Sequence, residues 1–71
     1  MKLKKIASIT ELSRLARSDK NYEKLAIVSA SNLGGGTLNL GGAINWLNIT
    51  ADETSEEGVI EEINFCRDLV A

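Results

Sequence analysis

The sequence predicts an α+β domain in the order α-β-β-α, a glycine-turn β-hairpin packed on two helices. Three observations lead there. Ser8-Ile9-Thr10-Glu11 and Thr54-Ser55-Glu56-Glu57 are helix-start signals, each a hydroxyl residue with a glutamate three positions on. Between them, Thr37 to Trp46 alternate strictly in polarity, which is the period of a half-buried strand. Gly34-Gly35-Gly36 stand where a turn would join that strand to the apolar run before it. The competing arrangement is all-α, with four short helices near 9–17, 20–31, 43–50 and 55–70. In that version "ITELSRLARSDKNYEKLAIVSA" is a helix-turn-helix-like pair and the triple glycine is a linker.

The first helix rests on its capping box. The Ser8 oxygen can accept the N–H of Glu11, and Glu11 can reach back to the serine N–H. Ile9, Leu12, Leu15 and Ala16 then recur at helical spacing. The helix is expected to run through "RSDKN" to about Lys24, with an irregularity at Ser18–Asp19.

The hairpin rests on register. Leu38, Leu40, Gly42, Ile44 and Trp46 fall on one face, and Thr37, Asn39, Gly41, Ala43 and Asn45 on the other. A turn at Gly41-Gly42 would split Leu38 and Leu40 from Ile44 and Trp46, so the strand is expected to be continuous. A loop from Asn32 to Gly36 sets Ser31 opposite Thr37 and Val28 opposite Leu40, polar against polar and apolar against apolar. The pairing is Lys24–Ser31 with Thr37–Thr50. After Trp46 the phase slips to Leu47 and Ile49, and a bulge near Trp46–Leu47 would account for it. A lone two-stranded hairpin is marginal in water, so Met1–Ala7 or a second chain is expected to add a strand.

In the last helix, Val59, Ile63, Cys66 and Val70 lie within about 60° at 100° per residue and form the core stripe. Gly58 costs this helix about 1 kcal/mol relative to alanine. Phe65 and Leu69 make a separate ridge off that stripe.

A chain of 71 residues is one domain, 1–71, near the size at which a core suffices on its own. Cys66 is the only cysteine and there is no histidine, so disulfides and the usual zinc sets are excluded. Self-association or a partner is the remaining support. A single cysteine suits a reducing compartment, and no apolar run near the start resembles a signal peptide, so the expectation is cytoplasmic. The uncharged stretch Leu25 to Ala51 is too rich in asparagine and glycine to span a membrane. The sequon Asn48-Ile49-Thr50 carries little weight without secretion.

Charge is segregated. Residues 1–24 hold seven basic groups against Glu11, Asp19 and Glu23, a balance of +4. Residues 25–51 are neutral. Residues 52–71 hold seven acids against Arg67, a balance of −6. The plain expectation is that the first helix packs beside the last so that these charges face each other. The alternative is a basic face for nucleic acid. Net acidity argues against a dedicated nucleic-acid binder.

Motifs that carry chemistry are incomplete. Gly36 to Gly41 supplies the first half of a phosphate loop, but Gly42-Ala43 follow where lysine and serine or threonine belong. The dinucleotide fingerprint begun at Gly34 meets Asn39 at its last glycine. Cys66 has no imidazole base and lies on a core stripe. Glu56, Glu57, Glu61 and Glu62 lack calcium-loop spacing and read as a solvated face. Gly35-Gly36, with Leu33, Ala30 and Leu25 at set distances before them, resemble the double-glycine leaders of bacteriocin-like precursors. That resemblance covers half the chain and implies cleavage after Gly36.

The expected function is a small non-enzymatic intracellular binding protein, an adaptor or inhibitor of the phage or mobile-element kind. It would act through protein–protein contacts, as a homodimer, with no cofactor, metal, membrane or small-molecule substrate. Trp46, Leu47 and Ile49, with Phe65 and Leu69, are the expected interface, and aromatic anchors would supply most of the affinity. Gly34, Gly35 and Gly36 are the expected turn. The alternatives are a small DNA-binding regulator using the basic N-terminal helix and a secreted-peptide precursor.

Overall fold

The computed structural model describes residues 3–70, and those residues form four helices with no strand. α1 spans Ile9–Ala16, α2 Lys20–Ala30, α3 Leu40–Glu53 and α4 Glu56–Val70. The domain is therefore all-α, and the α+β expectation with its β-hairpin is overturned.

The capping box opens α1. Ser8 is extended and its Oγ accepts the Glu11 N–H at 3.0 Å. Glu11 Oε1 reaches back one residue further than expected and accepts the Ala7 N–H at 2.8 Å. Ile9, Leu12 and Ala16 are buried. The expected continuation to Lys24 does not occur. Asp19 leaves helical geometry, and its side chain accepts the Asn21 N–H at 2.9 Å, so it starts a new helix after a three-residue turn.

α2 is the hub of the bundle and packs against each of the other three helices. Tyr22, Leu25, Ala26, Ser29 and Ala30 are buried along it. Three small residues among these five let neighbouring helices approach closely. Past Ala30 the helix widens into one π-type turn, Ser31–Gly35. Gly34 (φ 90, ψ 8) ends it in the left-handed conformation that glycine adopts without a Cβ penalty.

The predicted second strand is α3. Asn39 caps it, its Oδ1 accepting the Gly42 N–H at 2.8 Å. Ala43 and Leu47 are buried, and Leu40, Ile44 and Ala51 pack against the core beside them. Those positions follow a 3.6-residue period. The slip after Trp46, expected to be a bulge, is that period asserting itself. The predicted first strand, 24–31, is likewise helical, because Leu25, Ala26, Ser29 and Ala30 share one face.

α4 begins one residue later than its sequence signal. Thr54 ends α3, its Oγ1 donating to Thr50 O at 2.7 Å, and Ser55 Oγ accepts the Gly58 N–H at 3.1 Å. Val59, Ile63 and Cys66 are buried and Val70 packs beside them.

Residues 3–7 form no strand. They run as an extended strap that buries Leu3 and Ile6. Asn64 holds Ile6 from both sides, accepting its N–H at 2.8 Å and donating to its carbonyl at 2.9 Å. Arg67 Nη1 donates to Leu3 O at 3.0 Å, and Tyr22 OH accepts the Lys4 N–H at 2.9 Å. Met1 and Lys2, the rest of the expected Met1–Ala7 strand, lie outside the described residues.

Candidate functional site

The glycines form the α2–α3 junction. Gly34 and Gly36 have positive φ, and Gly35 is packed between them and the indole. A Cβ on Gly35 would lie 2.9 Å from Ala30 O and 3.0 Å from both Leu38 Cδ1 and Trp46 Cδ1. Trp46 Nε1 donates to Leu33 O at 3.1 Å. Trp46 is therefore half-buried and tied to the junction. Leu47, its neighbour, is fully buried and faces the core.

The other expected interface residues are open. Ile49 is 40% exposed on the side of α3 away from Leu47, Phe65 is 64% exposed and Leu69 is 61% exposed. Phe65 and Leu69 stand one turn apart on α4 as a continuous apolar ridge. Glu61, Glu62 and Asp68, at three- and four-residue spacing, border it with acid.

The basic groups cluster elsewhere. Arg14 and Arg17 line a cleft of about 330 Å³ between α1 and α3, with Thr10, Ser13 and Asn48 around them and Ile9 and Ile44 beneath. Lys20, Lys24 and Ile27 follow one another along one face of α2 and, with Glu23 beside them, line a shallow groove of about 300 Å³. Among the described residues the one ion pair is Lys4 Nζ to Glu11 Oε2, at 2.8 Å. That bond, helped by the Ala7 N–H, holds the Glu11 carboxyl below its ordinary value. Arg67 is occupied with the strap. Arg14, Arg17, Lys20 and Lys24 form no ion pair among the described residues, and only the charge of Arg14 reaches a carboxylate, that of Glu11.

The expected neutralisation between first and last helix is thus absent among the described residues. α2 packs against both α1 and α4. The main polar contact bringing α1 to α4 is the Ile9 N–H on Glu56 Oε2, at 3.4 Å.

Cys66 offers no nucleophile. It is buried, and desolvation pushes its thiol above the ordinary value. The Ser29 hydroxyl beside it acts the other way without reversing the shift. Asn32 Nδ2 lies 3.2 Å from its sulfur and 3.4 Å from Glu62 Oε2, so the thiol belongs to the seam between α2 and α4. No group of three or more His, Cys, Asp or Glu among the described residues could hold a metal ion. No described helix is long and apolar enough to cross a membrane.

No family model, curated protein or solved structure matches the chain.

The Arg14–Arg17 cleft is not evident from the sequence, because a period of two puts its second wall, Ile44 and Asn48, on a strand. The signal that could have found it was the pair of arginines three apart on a helix whose apolar side was already assigned.

Proposed function

We propose that this chain is a small non-enzymatic regulator that contacts nucleic acid through α1, the turn at 17–19 and the start of α2. One observation carries the reading: Arg14, Lys20 and Lys24 on two helices, and Arg17 in the three-residue turn between them, make no ion pair among the described residues. The short turn matches the spacing of helix-turn-helix pairs. Thr10, Ser13 and Asn48 add neutral polar groups suited to phosphate oxygens. Net charge of −2 limits non-specific attraction, so binding is weak and strongly salt-dependent.

Fluorescence anisotropy of a labelled duplex tests this. Four phosphate contacts give a slope of log affinity on log salt of about −3.6, or about 150-fold weaker binding between about 50 and 200 mM KCl. Arg14→Ala and Arg17→Ala should each flatten the slope by about 1 unit. Absence of binding at about 50 mM salt, or a slope indifferent to both variants, rejects the reading.

A protein-contact module, adaptor or inhibitor, is the second reading. Phe65 and Leu69 favour it, because they leave apolar surface uncovered on the acidic helix.

A further inference from the structure

We propose that the Phe65–Leu69 ridge seats in the Lys20–Lys24–Ile27 groove of a second copy of this chain, and that the contact is reciprocal, closing a two-fold dimer. The inference does not rest on the nucleic-acid reading, although both use Lys20 and Lys24.

The ridge needs an occupant with apolar depth and positive charge. Its own counterpart on another α4 does not qualify, since Glu61, Glu62 and Asp68 of each copy would meet like charges. The α2 groove supplies what is missing. Ile27 is half-buried apolar surface at one end of it, and the Lys20 and Lys24 stems, with their ammonium groups, continue along the same face. Both features keep the same helical step: Phe65 and Leu69 are four residues apart, as are Lys20 and Lys24. A ridge of i, i+4 side chains fitting between side chains of the same spacing is the commonest way helices pack. The lysine ammonium groups then reach the acids bordering the ridge, and one can lie over the face of Phe65. Glu23 lowers the groove's balance to +1 against three acids at the ridge, so attraction remains.

Each copy carries one ridge and one groove, and reciprocal pairing is the simplest arrangement that uses both. Two such contacts related by a two-fold axis leave neither uncovered. The contact also covers Lys20 and Lys24, so the dimer competes with any polyanion that uses them.

Sedimentation equilibrium without nucleic acid, at low salt and rising concentration, tests this. The expected mass rises from 7.7 kDa to twice that value and stops there. Phe65→Ala, an exposed position, should keep the far-ultraviolet circular dichroism and weaken association about 30-fold or more, as loss of a hot spot does. Lys24→Glu and Asp68→Lys should each weaken it, and the double charge swap should recover about 10-fold of the loss. A 7.7 kDa species persisting to about 1 mM, or association unmoved by Phe65→Ala and Lys24→Glu, overturns the proposal. Growth past the dimer overturns the reciprocal closure. A chain that dimerises in this way, yet ignores DNA at concentrations low enough to keep it monomeric, refutes only the nucleic-acid reading.

Discussion

Gly35→Ala places one methyl group where three neighbours already stand. Ala30 O, at 2.9 Å, is backbone within a helix and cannot swing aside. Leu38 Cδ1 and Trp46 Cδ1, both at 3.0 Å, belong to side chains, but the indole is held by its bond to Leu33 O. Overpacking of this kind costs about 2 kcal/mol. The stiffer unfolded chain of the alanine variant returns about 0.7 kcal/mol. The net loss is about 1.3 kcal/mol, a fall in Tm of about 5–10 °C for a domain of this size. Gly34→Ala is the control. A Cβ there meets open space, and only the left-handed backbone at φ 90 opposes it. That strain of about 1–2 kcal/mol, less the same unfolded-state term, leaves a loss of about 0.3–1.3 kcal/mol. Thermal denaturation followed by circular dichroism measures both. Trp46 emission separates them, because the Gly35 variant alone must displace the ring and expose it to acrylamide. A Gly35→Ala protein that melts with the wild type and keeps its emission unchanged would refute the packing of this junction beneath Trp46.

Asn64→Ala removes the side chain that bonds both polar groups of Ile6, and leaving those groups unpaired costs about 2 kcal/mol. Thermal denaturation should show it, with faster hydrogen exchange at the Ile6 amide. Glu11 has a folded pKa below its ordinary value of 4.5, so its contribution is fully present above that pH and is lost as pH falls through the lowered value. Glu11→Gln should therefore cost stability at neutral pH and converge with the wild type in acid, as urea titrations across pH would record.

The start of α1, the start of α4 to within one residue, and the core stripe of α4 were legible in the sequence. Ser8 and Glu11 announced α1, and Val59, Ile63 and Cys66 lay on one stripe under a single period. The middle was not, for a reason visible residue by residue. In the uncharged stretch from Leu25 to Ala51, Leu40, Ile44 and Trp46 fit a period of two, while Leu40, Ala43, Leu47 and Ala51 fit a period of 3.6. The cap that decides between them is Asn39, whose partner Gly42 carries no side chain to complete a capping box. A period of two puts Leu47 at a surface, whereas the helix buries it and brings Trp46 to Leu33 O. Phe65 and Leu69 stood out because the helix carrying them was correctly phased.

The strap has a consequence for the order in which the chain can fold. Its anchors, Asn64 and Arg67, follow Ile6 and Leu3 by 58 and 64 positions. At a synthesis rate of about 5–20 residues per second, residues 3–6 wait about 3–13 s for their partners to be made. Throughout that interval Leu3 and Ile6, nearly fully buried in the finished fold, have no α4 to pack against. The helices can form early, but the nascent chain keeps an apolar end free until its last helix arrives. Chaperones that bind short apolar segments would hold residues 3–6 until α4 is made.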